Sequence, residues 1–264
     1  MTSAAVTDLY HRIDGPDGAP VLVLGPSLGT DLHLFDAQVA ALADRYRIVR
    51  YDLPGHGGSP TPDGPYTMTG LAEAVVALLD RLGIDRAHHA GVSIGGAIAA
   101  QLTLDHPDRV LSLTVIASAA RFADPDTWPQ RAATVRANGT DAMVASRPGT
   151  WFVPAFAGTD EAERLLAMLR ATADEGYAGC CEAIATFDIR DRLASVGVPV
   201  LAIAGADAPA TPPDMVRAIA EGAPDGRFEV VADAAHLLNT EKPEQVTALL
   251  AEHLASVGAA GAGG

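Results

Sequence analysis

The residue with the clearest chemical potential is Ser93, which lies between two glycines in the sequence Gly91-Val-Ser-Ile-Gly95. A short apolar strand is predicted before it, and a small-residue helix follows and ends before Pro107. In this setting a G-x-S-x-G motif places the serine on a tight turn. Only glycine fits two residues before and two residues after the serine, and the hydroxyl projects above the sheet. Ser93 is therefore a candidate nucleophile. The alternative is an ordinary turn between a strand and a helix.

A nucleophilic serine needs hydrogen-bond donors for the oxyanion that forms when it attacks a carbonyl carbon. The backbone N–H of Ile94 is one candidate, because it lies at the start of a helix, where the helix dipole is positive. The second candidate is the N–H of Leu28, in the glycine-containing loop 25–30 that follows the strand 21–24. Without Ser93, that loop would be interpreted as a plain turn.

A serine hydroxyl is weakly nucleophilic at neutral pH, so it needs an imidazole to take its proton and an acid to fix the imidazole tautomer. His236, in the loop 233–239, is the candidate base, and Asp207 or a neighbour, in the loop 205–213, is the candidate acid. The order serine, acid, histidine, each in a loop after a strand, is that of an α/β-hydrolase. His56 precedes the serine, so we interpret it as a structural loop histidine.

The elements that position these residues follow a simple pattern. Apolar runs predict strands at about 21–24, 46–51, 88–92, 110–117, 198–204 and 227–232, and helical spacing predicts helices at about 32–43, 66–82, 127–137, 160–173 and 244–254. Continuous apolar strands that alternate with helices are typical of a mostly parallel sheet with helices on both faces. The predicted class is α/β, with the α/β-hydrolase fold.

The strand pattern stops in the middle of the chain. We predict a core in two parts, 1–120 and 187–257, with a helical cap insertion at 121–186 and a flexible tail at 258–264. Such a cap lies over the carboxyl ends of the strands, where ligands bind in this class. Three cap aromatics, Trp151, Phe152 and Phe156, are predicted to line the pocket, and the alternative is that they pack the cap onto the core.

Composition limits the partners and the compartment. With 33 acidic and 18 basic side chains, the net charge of −15 argues against nucleic acid and anionic membrane surfaces. The adjacent Cys180 and Cys181 leave no disulfide framework and have no zinc-type spacing around them. Neither a leader segment nor a membrane-spanning run is predicted. We expect a cytoplasmic protein, as a monomer or small homo-oligomer, that acts on a small molecule.

The sequence closely resembles the 3-oxoadipate enol-lactonases of the β-ketoadipate pathway of aromatic degradation over nearly its whole length. The resemblance rests on segments 27–30, 52–59, 91–96, 128–136, 151–152, 176–182, 209–213 and 234–237, of which those in the cap are the most specific. It implies a carboxylic ester hydrolase that opens a small enol-lactone through an acyl-enzyme on Ser93, without metal or organic cofactor. It also implies a substrate pocket that includes Ser27, Phe35, Trp128 and Leu237.

Three positions depart from the family pattern. In the family the catalytic acid is the fourth residue of a Gly-x-x-Asp motif. In this chain that position is Ala208, and Asp207 lies one residue before it. The aromatic residue near Phe35 is usually tryptophan in the family, and an arginine often stands where this chain has Thr150. The departures suggest a specialised paralogue or an engineered variant. The alternatives are a related esterase, perhydrolase or acyl transferase, and a catalytically impaired variant that binds its ligand.

Overall fold

Seven strands form one sheet in the computed structural model, which describes residues 8–261. The strands are β1 (His11–Asp14), β2 (Val21–Gly25), β3 (Arg47–Tyr51), β4 (Ala87–Val92), β5 (Val110–Ile116), β6 (Val200–Gly205) and β7 (Gly226–Val231). Their order across the sheet is β1-β3-β2-β4-β5-β6-β7, with β1 antiparallel to β3 and every other neighbouring pair parallel. The mostly parallel sheet predicted from the apolar runs is confirmed.

The central strands are covered on both faces. Every residue of β4 and of β6 is buried, although successive side chains of a strand point to opposite faces of the sheet. Gly25 at the end of β2 pairs with Gly91 near the end of β4. The loops after these two strands therefore leave the sheet at the same level and at the same edge, which brings the loop of Leu28 close to Ser93.

The edge strand β1 is absent from the sequence prediction. Its four residues, His11–Asp14, are exposed or half-buried, and it pairs only with β3 among the described strands. A strand of this kind contributes no apolar run. The pattern that identifies the buried strands therefore gives no signal for it.

The predicted helices are present, and the structure adds two of 12 and 10 residues, Asp174–Ala185 and Pro213–Gly222, and several short ones. The α-helices are α1 (Asp36–Leu42), α2 (Met68–Arg81), α3 (Ile94–Asp105), α4 (Thr127–Asn138), α5 (Asp141–Val144), α6 (Pro148–Trp151), α7 (Asp160–Ala171), α8 (Asp174–Ala185), α9 (Pro213–Gly222), α10 (Leu238–Glu241) and α11 (Pro243–Gly261); 3-10 helices span Leu32–Phe35, Pro107–Arg109 and Arg190–Ser195. Helix α2 begins at Met68 because the Thr67 side chain caps it by accepting a hydrogen bond from Gly70 N–H.

The helices α4 to α8 all lie between β5 and β6, where the described residues contain no strand. We call residues 121–186 the helical segment. It is tied to the loops at the carboxyl ends of the strands: Ala173 N–H donates to Gly55 O, at 2.8 Å, and Leu237 N–H donates to Trp151 O, at 3.0 Å. The helical segment thus lies against the loop that follows β3 and the loop that contains His236.

The last helix is longer than predicted. Helix α11 extends to Gly261, so the backbone is helical over the first residues of the predicted tail 258–264, and residues 262–264 lie outside the described part. None of the helices within residues 8–261 combines the length and the apolar character needed to cross a bilayer.

Candidate active site

Ser93 occupies a strained turn between β4 and α3. Its φ of 56° and ψ of −118° lie in a region that non-glycine residues rarely adopt, and its amide is held by Ile116 O at 2.8 Å. A Cβ at Gly91 would overlap the backbone of Gly95, and a Cβ at Gly95 would overlap the carbonyl of Gly25. The geometry accounts for the glycine on each side of the serine.

The loop of Leu28 is held in place by His56. The N–H of Gly29, next to Leu28, donates to Nε2 of His56 at 3.0 Å, and Nδ1 of His56 donates to Pro54 O at 2.9 Å. These two bonds fix one neutral tautomer, and burial lowers the pKa of His56 to about 4. His56 therefore has both ring nitrogens engaged in shaping the loop, as expected for a structural histidine.

His236 lies in the same cavity as Ser93, and its Nδ1 is 3.0 Å from the hydroxyl of Thr211. Its loop is anchored by Glu241, whose carboxylate accepts hydrogen bonds from Ala235 N–H and from Val153 N–H in the helical segment, both at 2.7 Å. Sequence reasoning missed both Thr211 and Glu241. Thr211 lies in the loop that was already assigned to the acid, whereas Glu241 lies in no recognised sequence motif.

Asp207 is not brought to this cavity. Its side chain is exposed and lines a separate groove with Asp233 and Phe152, while its N–H donates to Ala234 O at 3.0 Å. Ala208, by contrast, is 3% exposed. Adjacent residues of the loop thus point in different directions, and Ala208 is the buried one of the two.

The cavity encloses about 190 Å³ and is lined by three of the six predicted pocket residues, Ser27, Trp128 and Trp151. Ser27, Leu28, Ser93, Trp128, Trp151 and His236 all line it. Phe35 and Leu237 do not, because both are fully buried in the core, and Phe152 lines the groove of Asp207 instead. Ile94 is buried at the first position of α3, and an N–H there has no partner within the helix.

Two arginines of the helical segment line the cavity, and sequence reasoning missed both. The guanidinium carbon of Arg131 lies 4.4 Å from the centroid of the Trp128 ring, and that of Arg147 lies 6.0 Å from the centroid of Trp151. Each arginine is three or four residues from a predicted pocket tryptophan. Residues at this spacing share a helix face, so the sequence could have indicated that the arginines also face the pocket.

Arg147 is 7% exposed, and its Nε has no hydrogen-bond partner among the described residues. Its recorded side-chain hydrogen bond is from Nη2 to the Ser146 hydroxyl, at 2.9 Å. Burial, together with the charge of Arg131, lowers the pKa of Arg147. A buried guanidinium with a free donor is costly in isolation, so this wall of the cavity favours an anionic group.

The same arginines affect the base. Burial first, and then the charges of Arg147 and Arg131, lower the pKa of His236 from 6.5 to about 3. The imidazole is therefore neutral, and able to accept a proton, across the neutral and mildly acidic range. No cluster of three His, Cys, Asp or Glu side chains that could hold a metal ion occurs within residues 8–261.

This environment predicts an unusual pH profile. Because the pKa of His236 is near 3 rather than 6.5, lowering the pH from 7 to 5 is expected to leave kcat/KM for an uncharged nitrophenyl ester nearly unchanged. Circular dichroism at each pH is the control for unfolding. A fall in kcat/KM with a midpoint near 6.5, while the protein stays folded, would contradict the electrostatic account of the cavity.

Comparison with known proteins shows the family to which the chain belongs. The sequence model of a family described as having the alpha/beta hydrolase fold matches residues 20–243, which include Ser93 and His236. The chain belongs to the α/β hydrolase family. The predicted α/β-hydrolase fold is thereby confirmed.

Individual members of the α/β hydrolase family are similar over almost the whole chain. The chain is 38% identical to 3-oxoadipate enol-lactonase 1 of Acinetobacter baylyi over 97% of both sequences. Its structure is similar to that of the enol-lactonase from Burkholderia xenovorans LB400, with a TM-score of 0.89, 37% identity, and coverage of 96% of this chain and 100% of that one. A malate-bound thermophilic esterase from Thermogutta terrifontis also has a TM-score of 0.89, at 26% identity, with coverage of 97% of this chain and 98% of that one.

Proposed function

We propose that the protein is a serine hydrolase that opens 3-oxoadipate enol-lactone to 3-oxoadipate through an acyl-enzyme on Ser93. The observation that carries this proposal is the pair Arg131 and Arg147 on the wall of the cavity that holds Ser93 and His236. The substrate is a small lactone with a carboxylate, and the cavity offers a nucleophile at one place and two guanidinium groups at another. The similarity to two enol-lactonases supports the same substrate.

The proposed reaction uses only residues of the chain. Ser93 attacks the lactone carbonyl as its proton passes to Nε2 of His236, and the N–H groups of Leu28 and Ile94 stabilise the oxyanion. The ring oxygen then leaves as an enolate, takes the proton from His236, and the enol converts to the ketone. Water, activated by His236, hydrolyses the ester on Ser93 and releases the second carboxylate.

The chemistry of this leaving group bears on the missing acid. An enolate delocalises its charge, so it departs more readily than the alkoxide of an ordinary ester. The demand on His236 as a general acid is therefore smaller. A site in which no carboxylate touches His236 is therefore less impaired with an enol-lactone than with an alkyl ester.

Replacing Arg147 by methionine tests the substrate assignment. The variant is expected to raise KM for the enol-lactone about ten- to a hundredfold, the scale of a charge-assisted hydrogen bond, and to change KM for an uncharged nitrophenyl ester by less than about threefold. Steady-state hydrolysis of both substrates provides the measurement. Methionine keeps much of the apolar length of arginine, so the packing against Trp151 is largely retained.

Arg170→Met is the matched control, because Arg170 is an exposed arginine of the same helical segment, 3.6 Å from Asp141. It removes the same charge without touching the cavity. Equal KM values for the enol-lactone in the Arg147→Met variant and the wild type would remove the carboxylate from the proposal, and no detectable turnover of the enol-lactone by wild type would refute the substrate itself.

A second candidate is a protein on the same fold that hydrolyses poorly and mainly binds its ligand or transfers its acyl group. Ala208 and the exposed Asp207 favour it, since neither supplies a carboxylate to His236. A fluorophosphonate probe separates the hydrolase from a protein that only binds its ligand, and product analysis in the presence of alcohol separates it from an acyl transferase. Labelling of Ser93 at a rate typical of serine hydrolases supports the hydrolase, and a product mixture dominated by acyl transfer in the presence of alcohol supports the second candidate.

A further inference from the structure

We propose that Thr211 is the positioning residue of His236, with its hydroxyl at Nδ1 in the place that a carboxylate takes in a Ser-His-Asp triad. The proposal rests on the proposed function only in treating His236 as the base. It does not depend on the identity of the substrate. It explains how a chain with alanine at the family's acid position can still orient its histidine.

The geometry is specific. Thr211 Oγ1 and His236 Nδ1 are 3.0 Å apart, and Thr211 is 1% exposed, so water does not compete freely for the contact. This is the only hydrogen bond of Nδ1 recorded within residues 8–261. Asp207, the nearest carboxylate in the loop sequence, is exposed and lines another groove.

The chain restrains this hydroxyl from several sides. Threonine is branched at Cβ, which restricts its side-chain rotamers, and the following Pro212 restricts the backbone of Thr211 to extended conformations. Helix α9 begins immediately afterwards, at Pro213, and fixes the end of the loop. A hydroxyl held in this way can act as a geometric substitute for the carboxylate.

The hydroxyl is nevertheless a weaker partner than a carboxylate. A carboxylate only accepts, so it enforces the tautomer with the proton on Nδ1 and leaves Nε2 free to take the serine proton. A hydroxyl can accept from Nδ1–H, which gives the productive tautomer, or donate to a bare Nδ1, which gives the unproductive one. It also adds no negative charge to stabilise the imidazolium against Arg131 and Arg147.

Labelling of Ser93 by a fluorophosphonate measures the consequence without the natural substrate. Thr211→Val keeps the shape and removes the hydroxyl, and we expect the labelling rate to fall about three- to tenfold, the scale of one neutral hydrogen bond. Thr211→Ser restores the hydroxyl and should recover most of the rate. Thr134→Val is the matched control, because the exposed Thr134 hydroxyl only donates to Gln130 O within α4.

The tautomer populations of His236 can be measured, and a loss of packing alone would not change them. Long-range ¹H–¹⁵N spectra of the histidine-labelled wild type should show Nδ1 of His236 protonated in the larger population, and Thr211→Val should shift the population toward protonated Nε2. The wild-type spectrum remains informative if the valine variant does not fold. A wild type with Nδ1 mainly unprotonated would overturn the proposal.

The outcomes separate this proposal from the proposed function. If wild type does not turn over the enol-lactone but Thr211→Val still slows labelling and shifts the tautomer, the substrate assignment fails and the role of Thr211 stands. If the enol-lactone is hydrolysed while wild type, Thr211→Val and Thr211→Ser label equally fast, the role of Thr211 is refuted and the function stands.

Discussion

Replacing Ala208 by aspartate is expected to raise kcat/KM for the enol-lactone by about 10² to 10⁴, the scale on which a triad acid contributes through tautomer and orientation. Ala208 is 3% exposed and lies three residues before Thr211, whose hydroxyl contacts Nδ1 of His236. The side chain at this position is therefore buried on the protein side of the loop, unlike that of Asp207. A carboxylate there accepts the Nδ1 proton and supplies the negative charge that the present site lacks.

The same substitution should change the pH profile in a predictable direction. An adjacent carboxylate favours the imidazolium, so the pKa of His236 should rise from about 3 toward its ordinary value of 6.5. The Ala208→Asp variant is therefore expected to gain rate at pH 8 and to show a loss of activity on the acid side that the wild type does not show. Steady-state rates from pH 4 to 9 measure both effects.

Asp207→Ala is the companion variant. If Asp207 already serves as the acid after a loop movement, its removal should cost a factor of about 10² or more and Ala208→Asp should gain little. The positions observed for the two residues predict the opposite, with the large effect at Ala208. No change in rate in either variant would show that the loop 205–213 does not supply the acid.

Replacing Ser93 by alanine has the second large effect, and its size should depend on residue 208. Triad residues act as a unit, and when the acid is already missing the remaining loss on removing the serine is only about 10². In the wild type, Ser93→Ala should therefore lower kcat/KM about 10²-fold, whereas in the Ala208→Asp background it should cost about 10⁴ or more.

The four proteins of this double-mutant cycle are wild type, the two single variants and the double variant. Enol-lactone hydrolysis under identical conditions is the measurement, and thermal unfolding of each protein controls for stability. Equal losses from Ser93→Ala in both backgrounds would show that residue 208 and Ser93 are not coupled.

Much of the sheet could be predicted from the sequence because its strands are buried on both faces and read as apolar runs. The turn at Ser93 could be predicted equally well, because a side chain in place of Gly91 or Gly95 would overlap the backbone. The edge strand β1 was missed because none of its four residues is buried. Runs of apolar residues identify buried strands, and an edge strand with few buried residues has no such run.

The site residues likewise include some that could be predicted from the sequence and some that could not. Ser93 and His236 could be placed in one cavity from motif and chain order, because the topology brings the carboxyl ends of parallel strands to one edge. The contact between Thr211 and His236 spans 25 residues and two loops, and no periodicity encodes it. The same holds for Arg147, whose burial is decided by how the helical segment packs against the core.

Active-site labelling tests the central claim most directly, that Ser93 is the nucleophile of this hydrolase. Wild-type protein is treated with a fluorophosphonate, digested, and the modified peptide is sequenced by mass spectrometry, with the Ser93→Ala variant treated in parallel. The account predicts one modified residue, Ser93, a matching loss of enol-lactone hydrolysis, and no adduct in the alanine variant. An adduct on another residue, or full hydrolytic activity in the Ser93→Ala variant, would contradict it.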